Sequence, residues 1–112
     1  MANDPVPLRG DVWLTAFGPS IGGEIQKSRP AVIVSTDFAN HLLNRVQVVP
    51  ISSRIGRLYR AEAAIVLNGE QRKALGDQIT TTSKQRLLRR VGRLSEEDLA
   101  AVGRALQVQL GL

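Results

Sequence analysis

The chain has 112 residues, 43% hydrophobic and 22% charged, which suits one packed core and excludes both a disordered chain and a membrane-embedded one. The absence of cysteine excludes a disulfide framework, a thiol nucleophile and any cysteine-bound zinc, and fits the cytoplasm. Fifteen Lys and Arg against ten Asp and Glu give a formal charge of +5, which points to a polyanionic partner, and the excess of arginine over lysine suits phosphates and base edges.

Met1 to Pro7 has no apolar run behind a basic cluster, so it does not read as a signal peptide, and no stretch approaches the length of a membrane span. Residues 1–8 read as a flexible lead and residues 9–112 as a single domain. Gly10 to Phe17 predicts a strand with Val12 and Leu14 on one face and Trp13 and Phe17 on the other. A turn-rich loop from Gly18 to Ser28 follows, and Pro30 then favours an extended Arg29. Ala31 to Val34 predicts a strand buried on both faces, and Asp37 caps a short helix through Leu43.

Arg45 to Ile51 predicts a third strand, with Pro50 at an edge, a bulge or a strand end because a central strand tolerates proline poorly. Arg54 to Arg60 is a basic loop. Ala61 to Leu67 reads as a strand with helix as its rival, and Glu70 to Leu75 as one helical turn. Extended chain resumes at Gly76 through Asp77, Gln78, Ile79 and three threonines. Lys84 to Leu88 reads as a helical turn and Arg89 to Leu94 as the last strand. Ser95 caps a terminal helix with acids in its first turn, an apolar stripe of Leu99, Val102, Leu106 and Leu110, and a stop at Gly111. The expected fold class is mainly β with a C-terminal helix packed on a small twisted barrel.

The cofactor signatures are missing: there is no phosphate-binding glycine loop, no dinucleotide pattern and no His-Glu pair at zinc spacing, so neither cofactor nor metal is expected. His41, in the short helix, reads as a surface or packing residue rather than a catalyst. Four aromatic residues, Trp13, Phe17, Phe38 and Tyr59, are too few for a recognition sheet that stacks several bases. The chemistry therefore falls to Arg, Ser, Thr, Asp and Glu in the loops between strands.

In order and spacing, Arg9-Gly10-Asp11-Val12-Trp13, "EIQKSRP" from Glu24 to Pro30, "AVIVS", "VVPISS", "DQITTTSKQRL" and "GRLSEEDLAAVGRAL" resemble the MazF/PemK family from Arg9 to Leu112. The resemblance implies an SH3-like barrel of the CcdB/PemK type and a homodimer that cleaves single-stranded RNA at short motifs. It also implies a toxin role, silenced by a cognate antitoxin with an acidic, partly disordered segment. In the chemistry it implies, the RNA's 2′-OH attacks the adjacent phosphorus without a metal, leaving a 2′,3′-cyclic phosphate and a 5′-OH.

The arginine of the family's "RP" motif falls on Arg29, which would hold phosphate oxygens as negative charge accumulates. The family's hydroxyl residue falls on Ser52, where many relatives carry threonine; an ordinary turn at a strand end is its structural alternative. Glu24 matches a frequent family acid, placed either to steer Arg29 or, if buried, to act as the base. RNA contacts are expected from Lys27, Ser53, Arg54, Arg57, Asp77, Gln78 and Arg86. Thr80 stands where relatives follow the "DQ" pair with arginine, and Gly23 where some carry a catalytic histidine. Two rival readings share the fold: a CcdB-like toxin that inhibits a protein without catalysis, and a basic RNA-binding module.

Overall fold

Alternation along Asp11–Ala16 sends Val12 to one face of a strand and Trp13 to the other, and both faces are buried. The computed structural model describes residues 6–18 and 28–112; Gly23, Glu24 and Lys27 lie outside them. The strands are β1 (Asp11–Ala16), β2 (Ser28–Ile33), β3 (Arg45–Ser52), β4 (Glu62–Leu67), β5 (Glu70–Leu75), β6 (Thr80–Ser83) and β7 (Leu87–Arg93), with helices α1 (Asp37–Leu42) and α2 (Glu96–Leu110). Their antiparallel pairings give the order β4-β5-β3-β2-β1-β7, with β6 added against β3.

The sheet curls into a half-barrel. Two register shifts between β1 and β7 sharpen the local twist. Across the opening, the Asn68 side-chain amide at the β4–β5 turn donates to the Val91 carbonyl of β7 at 3.0 Å. Val12, Val32, Val49, Ile51, Ile65 and Ala74 form the larger core with Val102 and Ala105 of α2. Trp13, Ala31, Ile33, Val46 and Val48 form a second, with Phe17 and Leu87 packed on it. A valine such as Val102, which is fully buried, contributes roughly 1.5–3 kcal/mol of transfer free energy.

The expected barrel and terminal helix are present, and several local expectations are corrected. Glu70–Leu75 is a strand, not a helical turn, because Asn68 (φ 52°) and Gly69 (φ 80°) both adopt the left-handed region that a two-residue hairpin requires. Gly76–Gln78 is a 3-10 turn rather than extended chain. A Cβ on Gly76 would sit 2.3 Å from the Ala61 carbonyl oxygen, which instead accepts the Gly76 amide at 2.9 Å. Thr36, not Asp37, caps α1, accepting the Ala39 amide. Asp37 accepts the Arg9 amide at 2.7 Å instead. Ser95 caps α2 and Gly111 ends it in a left-handed conformation as expected, but its buried residues are Val102 and Ala105, while Leu110 is exposed.

Pro50 lies inside β3, which has partners on both sides. The Val34 amide donates to the Gln47 carbonyl, so in this register Ala31 and Pro50 face each other as a non-hydrogen-bonded pair. The proline nitrogen therefore points to the other side of β3. There the partner of β3 changes from β6, whose pairing ends at Val48, to β5, whose pairing begins at Ile51. Proline occupies the gap in the ladder where no amide is needed.

Candidate RNA-binding and catalytic cleft

The paired register of β2 and β3 ends at Ala31 opposite Pro50, and strand alternation two residues beyond that pair puts Arg29 and Ser52 on the same face, where both line one cleft. Neighbouring pairings set Thr15 opposite Arg29 and Lys73 opposite Ser52. Directly opposed residues share a sheet face, so one row across four strands carries Thr15, Arg29, Ser52 and Lys73. At the end of this row a cleft of about 570 Å³ is lined by Arg29, Pro30, Ile51, Ser52, Ser53, Arg54 and Arg72. Arg29 and Ser52 are half-buried, while Ser53 and Arg54 are exposed. Arg29 thus rises from a strand that is paired to β1 at this position and to β3 from Ala31 onward, which gives the side chain a rigid base.

The Ser52 Oγ accepts the Arg54 amide at 3.1 Å, the turn that the sequence offers as its structural alternative. That contact leaves the hydroxyl proton free to donate and holds the oxygen at the cleft that Arg29 also lines. Arg72 is steadied by the Gln71 carbonyl at 3.0 Å and by Glu70 at 3.2 Å. Sequence reasoning missed Arg72 because it took β5 for a helical turn. The Asn68-Gly69 pair, a strong short hairpin signal, would have placed it on a strand.

The loop leaving Ser52 is exposed yet anchored. Lys73 Nζ donates to Glu62 at 2.8 Å and to the Arg57 carbonyl at 2.9 Å, and the same Glu62 oxygen accepts the Tyr59 amide at 3.0 Å. Arg57 and Lys73 lie 5.1 and 5.6 Å from the Tyr59 ring centre, within cation–π range. Burial alone would raise the Glu62 carboxyl, but the Lys73 hydrogen bond, the Tyr59 amide and the Lys73 charge outweigh it and hold it below the usual carboxylate range.

Of the expected site residues, the cleft unites Arg29, Ser52, Ser53 and Arg54. Arg57 stands outside the lining, over Tyr59. Asp77 and Gln78 sit exposed on the 3-10 turn, which packs against α2 and β3 away from the lining. Arg86 donates to the Ala16 carbonyl at 3.3 Å, at the same end of β1 as Arg29 but outside the cleft. Glu24 and Lys27 are beyond the described residues. At the opposite end of β1, Asp11 holds Arg93 at 2.8 Å and Arg90 at 3.2 Å. Among the described residues no group of three or more His, Asp or Glu side chains gathers as a metal site, and no helix is long and apolar enough to cross a membrane.

Comparison with known proteins covers nearly the whole chain. The Endoribonuclease MazF9 of Mycobacterium tuberculosis is 36% identical over 113 residues, covering 93% of this chain and 96% of that one. The crystal structure of MazF from Deinococcus radiodurans superposes with a TM-score of 0.83 at 26% identity, covering 97% of this chain and all of the other. An endoribonuclease from a mycobacterial species, solved in complex with its cognate antitoxin, gives 0.76 at 25% identity, over 95% of this chain and 96% of that one. Residues 8–110 match the family described as PemK-like, MazF-like toxin of type II toxin-antitoxin system. A match over nearly the whole chain, together with the shared curled sheet and terminal helix, shows that this chain belongs to the PemK/MazF toxin family.

Proposed function

We propose that this toxin-family chain is an endoribonuclease that cuts single-stranded RNA at short sequence motifs by internal attack of a ribose 2′-OH. The observation that carries the reading is the meeting of Arg29 and Ser52 in one cleft that Arg54 and Arg72 also line. In the reaction a 2′-oxygen-to-phosphorus bond forms and the bond to the 5′-oxygen breaks, leaving a 2′,3′-cyclic phosphate and a 5′-OH. The 2′-OH proton passes to a base and the departing 5′-oxygen receives a proton from an acid.

Arg29 supplies a fixed positive charge and a fork of donors to the non-bridging oxygens as the phosphorus becomes pentavalent. Ser52, its oxygen held by the Arg54 amide, donates its hydroxyl proton to one of them. Arg54 and Arg72 hold neighbouring phosphates. Glu24 is the candidate base, and Lys27, Ser53, Arg57, Asp77, Gln78 and Arg86 extend the RNA path. No step calls for a metal.

The active form is a homodimer of single-domain chains, folded over residues 9–112 behind a short lead and working in the cytoplasm. An antitoxin segment rich in acids covers the cleft; the formal charge of +5 and the antitoxin complex of a solved relative support this partner. The test is to incubate purified protein with an unstructured oligoribonucleotide in EDTA and analyse the ends. Cyclic phosphate and 5′-OH ends are expected. Intact RNA from folded, inhibitor-free protein would favour a non-catalytic toxin instead, and 5′-phosphate ends would overturn internal attack.

A further inference from the structure

Beside the cleft, separated from it by Arg72, lies a second recess of about 540 Å³ between the Ser53–Ala61 loop and the β4–β5 hairpin. We infer that it is a nucleobase subsite, holding one base next to the cleaved phosphodiester, with Gln71 as the residue that reads its edge. The inference rests on the ribonuclease reading above and goes beyond it in assigning a place for specificity.

Three large apolar side chains that would otherwise be unexplained at the surface, Ile55, Leu58 and Val66, are 43–50% exposed and all border this recess. Ala64 forms part of its floor. Such walls suit the flat apolar face of a base drawn out of a single strand, and the volume falls within the roughly 300–1,000 Å³ of small-molecule sites. Asp98 is engaged by the Val66 amide at 2.9 Å, and Lys73 by Glu62 and the Arg57 carbonyl. The side-chain amide of Gln71 makes no hydrogen bond to another described residue. It presents one donor and one acceptor side by side, the pairing that reads an adenine edge.

Arg72 borders both spaces. A strand whose phosphate lies on Arg72 and whose next phosphate meets Arg29 therefore has an adjoining base within reach of the recess. The loop wall is held for this purpose. Glu62 and Lys73 pin the backbone at Arg57 and Tyr59, so Leu58, between them, is fixed before RNA arrives and little ordering cost is left to binding.

The experiment maps cleavage ends across a transcript pool for the wild-type chain, for Gln71→Ala and for Ala64→Phe. The second variant fills the recess from an exposed strand position that accepts an aromatic residue. With Gln71→Ala, base preference at one position flanking the cut falls about tenfold while other cuts persist. With Ala64→Phe, KM rises and the preference at the same position is lost, with kcat on the remaining sites little changed. Wild-type cleavage with unaltered profiles and KM in both folded variants overturns the subsite alone, even if affinity for an antitoxin drops. Intact RNA with the wild-type chain overturns the ribonuclease reading and the subsite with it.

Discussion

At the start of β1 the guanidinium groups of Arg90 and Arg93 close on the buried carboxylate of Asp11, whereas at the other end of the strand Arg29, Arg54 and Arg72 line an open cleft with Ser52 and Ser53. The first group ties β1 to β7. One carboxylate partners both half-exposed guanidinium groups, and Asp11 also accepts the Leu8 amide at 3.0 Å. In the second, Arg29 and Arg54 have no carboxylate partner among the described residues, and both line an open cleft. A net positive charge forecasts a polyanionic partner, but only the distribution of buried carboxylates separates arginines that hold the fold from arginines that meet a ligand.

The contrast is sharpest for Arg29→Ala, for which RNA cleavage falls by about a thousandfold or more while the melting temperature stays near that of the wild type. Near-normal cleavage by that variant would break the distinction. Ser52→Ala follows with a loss of about a hundredfold in kcat, and Ser52→Thr, which keeps the hydroxyl, recovers most of it. Asp11→Ala inverts the pattern. It removes about 2 kcal/mol of stability in urea unfolding, discounted because both arginines are half-exposed, and leaves kcat per folded molecule unchanged.

The smallest effect comes from Glu62, which belongs to both worlds because it is a structural ion pair that positions a cleft loop. Its carboxyl is held below the ordinary carboxylate range. The anchoring is therefore fully present above the ordinary unfolded value and is lost as pH falls below that value through the depressed folded one. Protection of the Tyr59 amide against hydrogen exchange should fade in that acid window, and Glu62→Gln should remove the pH dependence. Constant protection across the window would show that the ion pair does not hold the loop.

The barrel strands were legible where β-branched residues alternate, as in Asp11–Ala16 and Arg45–Ser52, and the terminal helix where Ser95, its acids and Gly111 mark both ends. The β5 strand was not, because Glu70, Gln71, Arg72 and Lys73 offer no apolar rhythm and its strand character comes from the turn before it. Arg72 and Gln71 were lost to view with it. Arg29 and Ser52 were legible singly through family resemblance. Their convergence on one cleft depends on strand pairings that no local pattern encodes, and on Pro50 occupying a change of strand partner rather than ending a strand. Arg90 showed the opposite limit, a basic residue whose partner lies 79 positions away in sequence, at Asp11.

The most direct test of the account is an oligoribonucleotide carrying a single 2′-deoxyribose at the cleaved position, digested beside its all-ribose twin in EDTA. If Arg29 and Ser52 do no more than hold and neutralise a phosphate that the ribose itself attacks, the twin is cut and the substituted strand survives. Cleavage of the deoxy-substituted strand at the same bond would contradict the account.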